Sequence, residues 1–229
     1  ICEPLIQFYG YKTCGVWNSA EEIAANPHFS DDAPGGIRIV DTNNDGSLTP
    51  EDRVALGTPY PDFTWGITNT FQIKDFDISF LIQGVQGITV LNGDVYYNET
   101  KKWNKKYTKN RWVSAEHPGD GKTPYQNVKT GHDLMLTDYP LQNASYACLR
   151  NFTVGYTLPA TAARKIKLSG VRFYVSGSNL LYIWGSGYKG INPESRMTSG
   201  NYSSAMISGY QRGGFPLTST ISAGFDINF

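Results

Sequence analysis

The sequence predicts an all-β fold, in which antiparallel strands form part of a large transmembrane β-barrel with long extracellular loops. Apolar and polar residues alternate in five segments, and the chain ends on an aromatic residue. Some neighbouring segments are separated by long irregular stretches, whereas two of them are separated by only two residues. Because strand side chains point alternately to two faces, a barrel strand shows one face to lipid and the other to the lumen.

The last segment, residues 218–229, shows the pattern most clearly. One face is wholly apolar and carries Ile221, Ala223, Phe225, Ile227 and Phe229. The other face holds only Thr, Ser, Gly, Asp and Asn. A strand of a soluble sandwich can show the same alternation, but the terminal aromatic residue favours a barrel strand, whose interfaces are marked by aromatic side chains.

Composition excludes several classes of protein. The 229 residues include 20 Lys plus Arg and 20 Asp plus Glu, so the formal net charge is zero. The chain therefore lacks the excess of basic residues that is typical of proteins that bind nucleic acid or an anionic membrane surface. Aromatic residues make up 14% and there are 24 Gly, which suits strands and turns. No apolar run is long enough for a transmembrane helix, which excludes only helical spans. The chain starts at Ile1 without a signal peptide, so we expect a part of a longer protein.

The segment before the first long strand predicts a short strand within 4–11 and a helix within 18–27. Asn18 or Ser19 is suited to cap this helix, the two glutamates lie in its first turn, and Pro27 ends it.

Residues 41–52 match a twelve-residue calcium loop. The predicted metal-binding residues are Asp41, Asn43 and Asp45 at loop positions 1, 3 and 5, the Ser47 carbonyl at position 7 and Asp52 at position 12. Gly46 occupies the sharp turn at position 6. An Asp at position 12 departs from the usual Glu, and an Asn/Asp/Gly turn without metal is the alternative. Any bound calcium is expected to be structural.

The strands follow from the remaining alternation. Residues 63–73 and 76–85 predict a tight hairpin around Lys74-Asp75, and residues 145–158 and 171–183 predict two further strands. If the chain ends on the inner side, the short connections lie inside, and the two longest loops and the calcium loop lie outside, as in outer-membrane barrels. Five or six strands are too few to close a barrel, whose smallest size is about eight.

Several segments, in order, resemble the C-terminal part of SusC/RagA-type TonB-dependent outer-membrane transporters. They are D-T-N-N-D-G-S-L-T-P-E-D-R with L-G-T-P-Y-P-D-F-T-W-G, then D-F-D-I-S-F-L-I-Q-G-V-Q-G, Y-A-C-L-R-N-F-T-V-G-Y-T-L-P, V-R-F-Y-V-S-G-S-N-L-L-Y-I-W and the closing G-F-P-L-T-S-T-I-S-A-G-F-D-I-N-F. One departure is Asn192, since Ile191-Asn192-Pro193-Glu194 stands where members usually carry an Asp before the Pro.

This resemblance implies that residues 1–229 are the C-terminal portion of a 22-stranded barrel, with the calcium loop 41–52 in an extracellular loop. It also implies a plug and a TonB-contacting segment elsewhere in the protein. A SusD-like surface lipoprotein as lid, import of oligosaccharides or peptides, and a dimer of SusCD pairs are further implications. The implied location is the outer membrane of a Gram-negative, Bacteroidota-like bacterium.

Aromatic residues in the loops are the candidate contacts for a substrate or for the lid. They are Trp103, Trp112, Tyr188 and Tyr202, with Tyr96, Tyr97 and Tyr210 as further members. Aromatic rings can stack on sugars, but they can equally pack the loops against each other. The alternative function is a soluble, calcium-stabilised β-sandwich that binds glycans. Catalysis is not expected, since His28, His117 and His132 lie in loops without a nucleophile elbow or metal-ligand spacing.

Overall fold

The computed structural model describes residue 4 and residues 6–95, 110–125, 134–185, 187–195 and 209–229. Its strands in chain order are β1 Phe8–Gly10, β2 Thr13–Val16, β3 Ile37–Ile39, β4 Val54–Gly57, β5 Phe63–Ile73, β6 Phe76–Gln86, β7 Thr89–Asn92, β8 Leu141–Asn143, β9 Tyr146–Thr157, β10 Gly170–Trp184, β11 Tyr210–Gln211 and β12 Thr220–Asn228. The helices are α1 Ala20–Ala24 and α2 Ala160–Lys165, with 3₁₀ turns at Pro50–Asp52 and Leu134–Leu136.

The five long strands form one antiparallel sheet in the order β12-β10-β9-β6-β5. β5 and β6 are joined by Lys74 and Asp75, as the hairpin prediction required, and Lys74 has a φ of 55°. Every neighbouring pair runs in opposite directions, which confirms the predicted alternation of strand direction.

The register places like residues in rows across all five strands. One row is apolar and runs Ile73, Phe76, Tyr156, Phe173, Phe225. The row on the opposite side of the sheet is small and polar and runs Thr70, Ser79, Thr153, Ser176, Ser222. The two sides are called the apolar face and the polar face below. Each face is continuous because the predicted alternation and the observed register agree on every strand.

The apolar face is exposed. Phe173 is 51% exposed, Phe225 is 64% exposed and Ile67 is 55% exposed, so no described element covers them. Soluble proteins rarely expose a contiguous apolar surface of this extent. The sheet therefore has the character of a barrel wall that faces lipid, and it lacks the covering second sheet that the sandwich alternative requires within the described residues.

The segment before β5 and the two long connections, from β6 to β9 and from β10 to β12, meet at one end of the sheet, called the outer end below. There β1 pairs with β4, β2 pairs with β3, and β7 pairs with both β8 and β11. Two small cores hold this outer layer together: one contains Tyr11, Ile37, Ile39 and Leu134, and the other contains Ile88, Val90, Ala144 and Tyr188. The opposite end carries the Lys74-Asp75 turn, the connection that contains α2 and the end of β12.

The short elements differ in part from their predictions. Ser19 caps α1 by accepting a hydrogen bond from the Glu22 amide at 3.2 Å, as expected, whereas only Phe8–Gly10 of the predicted strand within 4–11 is extended. Helix α2 was not predicted. Within the described ranges, no helix combines the length and the apolar character needed to cross a membrane.

Candidate functional site

The polar face carries a charged cluster that joins three strands. The guanidinium of Arg172 on β10 donates to both carboxylate oxygens of Asp77 on β6, at 3.0 and 2.7 Å. It also donates to Asp226 on β12 at 3.3 Å. Paired, planar contacts of this kind are the geometry in which arginine binds a carboxylate best. The cluster therefore ties the last strand and the β5–β6 hairpin to the middle of the sheet.

Gly155 leaves room for the contact between Arg172 and Asp77. β9 lies between β10 and β6, so the two charged side chains must cross it. A Cβ atom on Gly155 would lie 2.6 Å from Arg172 Nη2 and closer still to Asp77 Oδ1. Real Cβ atoms essentially never come that close, so the ends of the Arg172 and Asp77 side chains would have to move to make room for one.

A second polar cluster lies nearer the outer end, around Arg150. Its guanidinium donates to Asn179 Oδ1 at 2.7 Å, to Tyr182 Oη at 2.9 Å and to Glu194 Oε1 at 2.5 Å. Gln83 on β6 lies beside the same guanidinium. Because Glu194 belongs to the connection after β10, this cluster fastens an outer loop to the polar face of the wall.

The strands are irregular where this cluster forms. On β9, Leu149 and Asn151 have partners on both neighbouring strands, and Arg150 between them has none. On β10 the register shifts between Ser178 and Leu181, and Asn179 has a φ of 55°. Bulges re-aim side chains, and here they turn Arg150 and Asn179 towards each other.

Two of the four aromatic candidates lie in the described part, and both are buried. Trp112 is 9% exposed, donates from Nε1 to Asn18 Oδ1 at 2.9 Å and packs edge-on against Tyr125. Tyr188 is 8% exposed, donates to Gln211 Oε1 at 2.7 Å and belongs to a loop core. Both rings therefore pack against other loop residues, which is the alternative that the sequence left open. A contact with substrate or lid stays a prediction for both.

The remaining candidates include residues outside the described part. Trp103 and Tyr202 lie there, as do Tyr96 and Tyr97. Tyr210 is on β11, half-buried, with its ring over Gly93.

The predicted calcium loop folds as a chain of tight turns. Asp41 accepts from the Asn44 and Gly46 amides at 2.7 and 2.8 Å, and Asp45 accepts from the Ser47 amide at 2.8 Å. Gly46 has a φ of 85°, which suits the glycine that the motif places there. Among the described residues, no group of three or more His, Cys, Asp or Glu converges as a metal site. Calcium binding by this loop stays a prediction.

Asp52, at position 12, faces into the loop and is fully buried. Its Oδ1 accepts from the Thr42 amide at 2.8 Å, and its Oδ2 accepts from the Thr49 amide at 2.8 Å in a capping box. Burial raises the pKa of Asp52, but the hydrogen bonds from Thr49, Thr42 and Asn43 outweigh burial and bring it below its usual value. Asp52 therefore joins the two ends of the loop through these hydrogen bonds.

Sequence reasoning missed both polar clusters, although it contained a signal for one of them. Arg150 and Asn151 stand side by side between Leu149 and Phe152, which breaks the alternation of β9 and marks a bulge. No local signal pairs Arg172 with Asp77, because they are 95 residues apart.

The chain resembles known outer-membrane receptors in sequence. No family model matches the chain. A TonB-dependent receptor of Formosa agariphila is 31% identical over 99% of this chain, and a second one is 30% identical over 99%. The TonB-dependent receptor SusC of Bacteroides thetaiotaomicron is 27% identical over 68%. The chain spans 23%, 22% and 15% of the lengths of these relatives.

Solved structures agree on the fold. A structure of the RagAB peptide transporter superposes with a TM-score of 0.70 at 19% identity, covering 97% of this chain and 22% of that one. A closed-closed state of the RagAB peptide importer gives a TM-score of 0.66 over the same share of this chain. Over its whole length the chain is similar to TonB-dependent receptors, and its sheet has the fold of the RagAB transporter, which is consistent with a C-terminal segment of the SusC/RagA type.

Proposed function

We propose that this chain supplies barrel wall and outer loops to a TonB-dependent importer that takes up an oligosaccharide or peptide nutrient. The observation that supports this most is the five-stranded sheet, with its apolar face exposed and its polar face bonded across strands. A wall of this kind separates lipid from an aqueous lumen. The relatives named as receptors, and the neighbour named as a peptide transporter, favour import over catalysis.

The proposed partners are a SusD-like lipoprotein and TonB, with assembly as a dimer of SusCD pairs. The outer layer supports the lipoprotein partner, because it is a set of loops with cores of their own at one end of the wall. Such a layer offers a surface on which a second protein can seat. TonB would act through parts of the protein other than these residues.

Fractionation of cells tests this function. We expect the polypeptide that carries this sequence to enter the outer-membrane fraction, to require detergent for extraction and to co-purify with a surface lipoprotein. Deleting its gene should abolish growth on one class of oligosaccharide or peptide and leave growth on glucose unchanged. A polypeptide that stays soluble without detergent would contradict the proposal and favour the glycan-binding sandwich.

A further inference from the structure

The end of the wall opposite the outer end, called the inner end below, carries a connection that folds onto the apolar face. Val171 lies on that face, because it pairs with Ile227 and is two residues from Phe173. Val171 is nevertheless only 5% exposed, whereas Phe173 is 51% exposed. Helix α2 packs against β10, and Ala163 of this helix is fully buried. The connection 158–169 therefore covers the inner edge of the apolar face.

The solvent side of this connection is basic. Arg164 and Lys165 end α2, and Lys167 follows two residues later with a φ of 58°. All three side chains are exposed, and Ile166, which stands among them, is 57% exposed. Segments that lie in a membrane interface combine apolar side chains, which enter the lipid, with Lys and Arg, which meet anionic headgroups.

The hairpin turn between β5 and β6 adds a fourth cation beside this connection. Lys74 in the turn is exposed. The carbonyl of the next residue, Asp75, accepts from the Thr157 amide at 2.8 Å, which joins the turn to the end of β9 just before the α2 connection begins. The two inner connections, 74–75 and 158–169, hold four basic residues and one acidic residue, Asp75, so they carry an excess of three positive charges.

These cations are open to a ligand. Among the described residues, no hydrogen bond or ion pair uses the side chains of Lys74, Arg164, Lys165 or Lys167. Two carboxylates lie on the strands nearby, but Asp77 and Asp226 both accept from Arg172 on the polar face.

The apolar face ends beside these cations in a row that is mostly aromatic. The row consists of Ile73, Phe76, Tyr156, Phe173 and Phe225. The Phe76 and Tyr156 rings contact each other, with centroids 4.7 Å apart. Aromatic belts of this kind lie where acyl chains meet headgroups. The basic residues just beyond the row are therefore at the level of the lipid phosphates.

We propose that the inner end binds the phosphate headgroups of anionic phospholipids, through Arg164, Lys165 and Lys167, with Lys74 beside them. Guanidinium and ammonium groups bind phosphate by charge-assisted hydrogen bonds, and basic clusters next to a membrane surface attract anionic lipid. The occupant is a lipid because the cluster continues an apolar face that already meets lipid. This inference goes beyond nutrient import, since it concerns what holds the wall at a fixed depth in the membrane.

Fluorescence quenching tests the proposal on the full-length protein. Native cysteines are replaced by serine, Thr161→Cys on α2 is labelled with a bimane fluorophore, and the protein is reconstituted in phosphatidylcholine vesicles. Quenching by spin-labelled phosphatidylglycerol is compared with quenching by spin-labelled phosphatidylcholine at equal mole fraction. We expect the anionic lipid to be enriched about fivefold at the label. The variant Lys165→Gln/Lys167→Gln should abolish this enrichment.

The control variant Lys12→Gln/Lys122→Gln removes the same charge from exposed residues of the outer layer and should keep the enrichment. Each variant is first checked for the compact gel mobility of the folded barrel. Equal quenching by the two lipids before substitution, or enrichment that persists in Lys165→Gln/Lys167→Gln, overturns the proposal. Quenching by neither lipid also overturns it and would indicate a surface for an acidic protein. No nutrient takes part in these measurements, so their failure is distinct from a failure of the import function.

Discussion

Arg172 and Asp77 form a two-bond ion pair that reaches across an intervening strand, at 3.0 and 2.7 Å, over Gly155. The pair joins β10 to β6, which do not touch through their backbones. Isolated surface ion pairs contribute little to stability, but this one is about two-thirds buried and shares its arginine with Asp226. The cluster therefore acts as a cross-brace on the polar face.

Replacing Gly155 with Ala should weaken this brace. The new Cβ displaces the ends of the Arg172 and Asp77 side chains, and we expect a loss on the order of 1 kcal/mol, which is part of the contribution of their charge-assisted hydrogen bonds. Gly66 is the matched control on the neighbouring hairpin, because a Cβ there meets nothing nearer than 3.8 Å. The measurement is the temperature at which the detergent-solubilised barrel loses its compact mobility on a gel. This temperature should fall for Gly155→Ala and remain unchanged for Gly66→Ala. Equal behaviour of the two variants would contradict the brace.

Removing the Arg150 guanidinium should release the loop after β10. Arg150→Met keeps a long apolar stem but loses the bonds to Asn179, Tyr182 and Glu194. We expect faster deuterium exchange in residues 187–195, because local opening is then easier. Arg172→Met, on the same face, is the control and should leave that exchange unchanged. Unaltered exchange in Arg150→Met would show that other contacts hold the loop.

Calcium should stabilise residues 41–52 if the loop binds it. We expect added calcium to slow deuterium exchange of this loop and a chelator to reverse the effect, because binding to the folded state adds stability by mass action. The double variant Asp41→Asn/Asp45→Asn should lose the response. If the deuterium exchange of the wild-type loop is the same in calcium as in chelator, the loop is the metal-free turn.

Asp52 should make the same loop sensitive to acid whether or not calcium binds. Its pKa is below the usual value in the folded protein, so its stabilising contribution is full above the unfolded pKa of about 4 and is lost as the pH falls through the lower folded pKa. We expect protease cleavage within 41–52 to rise below about pH 4. Asp52→Asn should show raised cleavage already at neutral pH. A pH-independent cleavage rate in the wild type would contradict this role.

The long strands could be predicted, because one face of each is apolar and a period of two is unambiguous over nine to fifteen residues. The short strands could not. β7 is only four residues long, and its partners lie about 50 residues away in β8 and about 120 away in β11. The local sequence around a short strand does not indicate which distant strand it pairs with.

The candidate site was less predictable than the wall. Trp112 and Tyr188 were identified as aromatic loop residues, but composition does not distinguish a ring that binds a sugar from a ring that packs a loop core. The ion pairs of Arg150 and Arg172 depend on the register between strands, which alternation does not specify. No role was predicted for Glu194, which is the partner of Arg150.

The most direct test of the account is which face of β10 meets lipid. Nitroxide labels are placed singly at Val175→Cys on the apolar face and at Ser176→Cys on the polar face of the full-length protein in outer membranes, with native cysteines replaced by serine. If the apolar face meets lipid, relaxation by lipid-soluble oxygen exceeds relaxation by a water-soluble nickel complex at residue 175, and the order reverses at residue 176. Equal access of the nickel complex to both labels would contradict a lipid-facing wall.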